Sequence, residues 1–516
     1  MTSTAHKIAL IPLDERPVNT RYPEMIARMA GADLLLPRTE FRGEKRKPAD
    51  RDAVANWLKE VAPQCLAVIV SCDYLGYGNL INARISDDSA VEVISRLSVL
   101  AEITTPIYAF SLITRVSNAD DNVEEPHYWK DWGTQFYQYS ALAHREMSRG
   151  GLDERERETL HHLSADLPAA ETADWLIRRL RNHTVNLGLI DLAAHGKLES
   201  LLLTSDDTAK WGFPSRERTW LQSWKLLIPP LAKRVAMHPG ADEVGSALVA
   251  KVINKTNGRR PSIWVDYAID GDSARVAPYE DRPVSETVAG QINACGAELA
   301  PSPTFADLIL GILTPSPNGK DYQPGLLAHD RATRQPPYRL LFDRLAKHQR
   351  AGVPVMLADV AYPNGADPLA MEMLRKPDSS LLLGNLAAYG AWNTAGNTLG
   401  VVIAQGICST YCGGIEVRKH AQHVFLTHRF LEDWGYQTIV RREARKFAEE
   451  CWDYSEPNPI DQSQQAEICH FIERRLTEIL SELQLYGIGI GLAIMPGSTR
   501  LPWKRTFEVD FVLTSE

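Results

Sequence analysis

Two adjacent carboxylates, Asp206 and Asp207, close a short apolar run in the stretch LESLLLTSDDTAKWG. Neighbouring carboxyl groups resist ionising together, so their titrations split into a low and a high step. Glycosidic cleavage needs that split: one carboxyl held protonated to donate to the leaving oxygen, and another that stays charged. The expected assignment makes Asp207 the general acid. Asp206 then orients and polarises a substrate 2-acetamido group, which acts as the internal nucleophile. For a sugar without that group, Asp73 or Asp359 would serve as nucleophile or base. Successive strand side chains point to opposite faces, so both aspartates can meet one substrate only beyond the strand end. The plainer alternative makes Asp207 or Thr208 the N-cap of a helix starting at AKWG.

Polar clusters follow other apolar runs in the same way. LDERPVN supplies Asp14, Glu15 and Arg16, and CDYLGYGNLINAR supplies Asp73, Tyr74 and Arg84. Thr114 and Arg115 come next, then Asp359 and Asn364 in DVAYPNGAD, and Trp392, Asn393 and Asn397 in YGAWNTAGNT. Asp, Asn, Arg and Tyr make dense, directional hydrogen bonds, and tryptophan offers a flat apolar face. That mixture suits a small polyhydroxylated substrate. Structural roles compete at several positions: Asn364-Gly365 is a turn pair, Asn397 is a candidate helix cap, and Asp242-Glu243 in GADEVG suits a helix N-terminus.

Zinc hydrolysis lacks its histidine pairs, and a serine triad lacks its G-x-S-x-G elbow. No metal and no cofactor is assigned. A hard-cation site from Asp14, Asp73 and Asp359 defines a rival, a magnesium-dependent enzyme acting on an acidic or phosphorylated small molecule. A non-catalytic sugar-binding protein is the other rival.

The elements that would position these residues are near-continuous apolar runs, as in strands buried on both faces. They are KIALIPL, CLAVIVS, PIYAFSL, SLLLTS, SIWVDYAI, DLILGIL, VPVMLADV and LLLGNLAAY, with ADLLLP as a ninth candidate. Helical patterns separate them, which implies parallel strands with sites at their carboxyl ends. Eight strands predict an α/β fold with a (β/α)8 TIM-like barrel over residues 1–400, carrying a helical excursion around 116–197. Residues 401–516 are expected to form a smaller helical or α+β region ending in a β-hairpin. The alternative is a doubly wound parallel sheet in two lobes. No internal repeat is evident.

The 516-residue chain is 44 % hydrophobic with a net charge of −9, and lacks the basic face that a nucleic-acid partner requires. Its seven scattered cysteines do not make a disulfide framework. The N-terminal stretch reads as neither signal peptide nor membrane span, so the cytoplasm is expected, without membrane association. The expected partner is a small carbohydrate; a homo-oligomer is left open. At IPLDERPVN, DYLGYGNLINAR, LLLTSDDTAKWGFPSRE, GADEVG, ADVAYPNGAD and AYGAWNTAGNTLG the chain resembles the bacterial domain-of-unknown-function family DUF4127 along nearly all its length. That resemblance implies no particular activity. Asp206-Asp207 is also similar, in type and strand position, to the acid pair ending the fourth strand of barrel β-N-acetylhexosaminidases.

Overall fold

A computed structural model of the chain describes residues 6–148, 151–317, 326–456 and 458–515, with backbone alone for 326–330. The protein is mixed α/β with two parallel sheets. The first contains β1 (His6–Ile11), β2 (Ala32–Leu35), β3 (Ala67–Ser71), β4 (Ile107–Ile113), β5 (Ser200–Ser205) and β6 (Val235–Pro239). Their order is β2-β1-β3-β4-β5-β6, and every pairing from β1 to β6 is parallel. The second contains β7 (Ser262–Tyr267), β8 (Glu298–Leu299), β9 (Leu308–Leu313), β10 (Val355–Asp359) and β11 (Ala388–Gly390). It runs β11-β10-β9-β7-β8, again parallel throughout. A short antiparallel pair, β12 (Leu492–Ile494) with β13 (Leu513–Ser515), lies near the C-terminus.

The closed eight-stranded barrel is not what these pairings make. The eight expected strands divide four and four between the sheets, as the two-lobed alternative requires. Each sheet, numbered from its own first strand, follows the doubly wound order 2-1-3-4-5, the first adding one more edge strand. A topological repeat is therefore present where the sequence carries no visible one.

The chain divides into two compact units. Unit 1 comprises Met1–Glu15, Leu34–Gly245 and Tyr279–Arg282; unit 2 comprises Arg16–Asp33, Ser246–Pro278 and Pro283–Glu516. Unit 1 packs its core from strand residues such as Val68, Ala109, Leu201 and Leu203 against the helices, including Val185 and Leu189 of the long helix Ala169–Ala194. Unit 2 builds its core on Leu357, Leu341 and Phe430, and extends it through helix Gln465–Gln484 to Leu513.

The helical excursion expected around 116–197 comprises three helices, Trp129–Glu146, Glu154–Asp166 and Ala169–Ala194, all within unit 1. Two strands have no counterpart in the expected set. β6 (VAMHP) is short, holds a histidine and ends in proline, a composition suited to an edge strand. β8 has only two residues, Glu298 and Leu299, at the end of a run with helical periodicity. The last expected run, LLLGNLAAY, supplies a short 3-10 turn at Leu383–Asn385 before three strand residues.

Candidate active site at the strand ends of unit 1

β4 and β5 pair in register from Tyr108↔Ser200 to Ile113↔Ser205, so both strands end side by side. The backbone N–H of Asp206 still donates to the Ile113 carbonyl at 3.3 Å, and the chain then turns sharply with Asp207 at φ +33°. Both aspartates thus lie past the strand end, the condition for facing one substrate. Neither caps a helix: the next one starts at Phe213, with Gly212 at its cap position.

Two arginines hold the pair. Arg84 donates to Asp206 at 2.5 Å, and Arg115 donates to Asp207 at 2.8 Å. The same guanidinium groups reach Glu124 and Glu125 in the loop after β4, with Arg115 Nε 2.8 Å from Glu125 and both arginines 3.1 Å from Glu124. Four carboxyl groups and two guanidinium groups therefore form one network. Asp206, Glu125 and Arg84 are buried, whereas 33 % of the Asp207 side chain is open to solvent. Burial first, and then the adjacent Asp206 charge, raise the Asp207 carboxyl above its ordinary range, against the lowering effect of Arg115.

Asp73 joins from the end of β3. It sits in the first turn of helix Cys72–Tyr77, which Ser71 caps by accepting from Tyr74 N at 3.1 Å. Its Oδ2 accepts from Leu112 N at 2.9 Å. Burial pushes its carboxyl up to about 7; the bonds from Leu112 and Ser111 oppose that rise, and the Asp206 charge adds to it. Three further hydroxyls beside the acid pair, those of Thr204, Ser205 and Thr208, are buried with no hydrogen-bond partner among the described residues. Buried polar groups are nearly always paired. Thr204 and Ser205, however, are successive strand residues on opposite faces and cannot meet one ligand, whereas Thr208 lies past the strand end with the acid pair.

Helix Ala169–Ala194 fixes this arrangement from below. Arg179 donates to the carbonyls of Thr114 and Arg115 at 3.1 and 3.2 Å and clamps Glu217 through two 2.8 Å bonds. Asn182 donates to Ala83 O at 2.9 Å and accepts from Tyr77 at 2.9 Å, tying down the segment that carries Arg84. On the far side, Gly240 N donates to Ser205 O at 3.0 Å. Gly240 adopts φ +132°, and a Cβ there would lie 2.0 Å from Glu243 Oε1, so only glycine fits. Glu243 itself is buried and accepts from Ala241 N at 2.8 Å, a local structural role.

Seven of the thirteen candidates belong to unit 1: Asp14, Glu15, Asp73, Tyr74, Arg115, Asp206 and Asp207. Asp14 and Tyr74 are buried there, and Glu15 accepts from Lys45 N at 2.6 Å. The other six belong to unit 2: Arg16, Asp359, Asn364, Trp392, Asn393 and Asn397. Arg16 lies 3.8 Å from Glu508 and stacks over Trp503. Asp359 accepts from the N–H groups of Ala361 (3.2 Å) and Asp367 (2.6 Å), stapling the turn that holds Asn364 at φ +57°. Burial, then the Asp367 charge, push the Asp359 carboxyl up to about 7. Trp392 is buried near Phe507, and Asn393 takes φ +64°. Asn397 is not a cap: Thr394 caps helix Ala395–Ser409 by accepting from Asn397 N at 3.4 Å.

Glu124 and Glu125 are absent from the candidate set drawn from sequence. Their signal was available, since VEEP repeats after β4 the paired acids found after β5. Among the described residues, no group of three or more His, Cys, Asp or Glu side chains is arranged to hold a metal ion. No described helix is long and apolar enough to cross a membrane.

Fold and site together define an α/β protein of two parallel sheets, with an acid–arginine network at the strand ends of the first. The chain belongs to DUF4127, a family described as protein of unknown function, which it matches over residues 8–512. No curated protein matches the chain.

Proposed function

We propose that unit 1 is a glycoside hydrolase-like catalyst for small glycosides, N-acetylhexosaminides among them, working by carboxyl acid–base chemistry. One observation carries this reading: a raised, solvent-reachable carboxyl, Asp207, sits next to a buried one, Asp206, that an arginine holds. Asp207 donates the proton to the leaving oxygen. Asp206, fixed by Arg84, orients the acetamido group, and Asp73 lies close enough to add its own field. The orphan hydroxyl of Thr208, past the strand end like the acid pair, supplies a donor and an acceptor that suit a sugar. The substrate would be a recycled or imported glycoside in the cytoplasm.

The test is turnover of a panel of alkyl glycosides and disaccharides, N-acetylhexosaminides included, whose leaving oxygens need a proton, by wild type, Asp206→Asn and Asp207→Asn. Loss of a general acid is expected to lower kcat by about 10²–10⁴ with a much smaller change in KM. Normal turnover by both variants rejects the mechanism.

A second reading, sugar binding without turnover, is favoured by the ion pairs that tie each aspartate to an arginine. It requires calorimetric binding of the same sugars that survives Asp207→Asn, with no hydrolysis by the wild type.

A further inference from the structure

The acid pair that ends β5 is met by a second pair, Glu124-Glu125, and the two pairs share their arginines oxygen by oxygen. Glu124 Oε2 accepts from Arg84 and from Arg115, each at 3.1 Å. Glu125 Oε1 accepts from Arg115 Nε at 2.8 Å and from Arg84 at 3.4 Å. Each of the three Arg115 nitrogens therefore faces a different carboxyl group: Nε faces Glu125, Nη2 faces Glu124 and Nη1 faces Asp207 at 2.8 Å. A guanidinium that served Asp207 alone would lower its titration midpoint by about 1–3 pH units. Divided among three carboxyl groups, the same charge holds Asp207 in place without drawing off its proton.

The loop fixes both glutamates. Arg46 donates to the carbonyls of Asn122 and Glu125 at 2.8 and 2.9 Å, and Trp129 Nε1 donates to that of Ser117 at 3.2 Å. Glu125 is buried, and 14 % of the Glu124 side chain is open to solvent. Placing two more carboxyl groups beside an acid pair costs stability, yet the backbone bonds anchor them there. Other charges approach the same turn. Asp206 adjoins Asp207, and Asp73 lies behind it. Arg179 is engaged by Glu217. The segment Tyr279–Arg282 accepts the Thr208 N–H at 3.0 Å and carries Glu280 and Asp281, the latter paired with Arg218 and Arg282. Arg84 and Arg115 are the cations bonded to the acid pair among the described residues, so the positive charge left to Asp207 depends on the two glutamates.

We infer that Glu124 and Glu125 are positioning residues for Asp207: by taking up the charge of Arg115 and Arg84, they leave Asp207 its proton for the leaving oxygen. The inference rests on the reading of Asp207 as proton donor, and the test separates the two. Aspartate labelled with carbon-13 at its carboxyl carbon reports the Asp207 titration by NMR in the full chain, assigned by the signal that Asp207→Asn removes. Glu124→Gln and Glu125→Gln each keep an oxygen for the arginines and remove one negative charge. In these variants the Asp207 midpoint is expected to fall by about one pH unit. The alkaline limb of kcat/KM against pH, on the glycosides that the wild type turns over, is expected to move down with it. A fall in either variant supports the inference, so the more exposed Glu124 position keeps the test open should the Glu125 variant fail to fold. A midpoint that stays or rises in every folded variant overturns it and leaves the glutamates a structural role. Because the midpoint is read without substrate, an absence of wild-type turnover counts against the proposed activity, while a fallen midpoint would still show the glutamates keeping the proton on Asp207.

Discussion

Asp73 illustrates what a buried carboxyl costs. Held at about 7, well above the ordinary carboxylate range, it binds its proton more tightly in the folded chain than in the unfolded one. Its contribution to stability is therefore fully present below about pH 4, declines between about 4 and 7, and is lost above that. Asp73→Asn keeps an acceptor for Leu112 N and removes the titration. Thermal melts should show the variant gaining on wild type as pH rises from 4 to 8, and parallel pH profiles would refute the assignment. At this scale the sequence was informative about Asp73, Arg115, Asp206 and Asp207, because each sits within two residues of a strand end. It was not informative about which arginine holds which aspartate. That depends on the β4–β5 register and on the path of the loop holding Glu124 and Glu125, both set by contacts distant in sequence.

Among the elements, the segment Phe430–Val440 stands apart. It is an eleven-residue π-helical stretch between two α-helices, a geometry that is rare and usually short. Its first turn carries Glu432 and Asp433, both buried, and Arg429 just before it bonds to both. Asp433 also accepts from Ala391 N at 2.7 Å, so the stretch clasps the end of β11. Burial foremost, despite Arg429, pushes the Glu432 carboxyl up to about 8. Arg429→Met leaves two buried carboxyls uncompensated and is expected to cost about 3–5 kcal/mol in denaturant unfolding at pH 8.5. The loss should shrink at pH 5.5, where the Glu432 carboxyl, pushed up to about 8, has taken up its proton; a pH-independent loss would mean that packing, not charge, is what Arg429 supplies. The helical character of this region was legible from its apolar spacing, whereas the shift to i→i+5 bonding was not, since it answers to the strand end it grips. The strands were legible too, apart from β6 and β8, which are too short or too polar to stand out from their surroundings.

At the scale of the whole molecule, the number of strands did not determine how they close. Eight buried parallel strands satisfy a barrel or two open sheets equally well; only the pairing of β5 with β6, and of β7 with β8 and β9, separates the cases. Because each unit has a core of its own, denaturant is expected to open them at different concentrations. Hydrogen exchange followed by mass spectrometry should see peptides from β3–β5 and from β9–β10 lose protection separately. Loss at one common concentration would show a single cooperative structure. Helix Pro17–Met29 belongs to unit 2, where the Tyr22 hydroxyl meets Glu432 across 410 residues of chain. At ordinary elongation speeds of about 5–20 residues per second, that partner leaves the ribosome roughly 20–80 s after the helix does. During that interval Tyr22, Met25, Ile26 and Met29, all buried in the folded chain, have no core to enter, so the nascent chain carries an uncovered apolar helix face while the later helices are made.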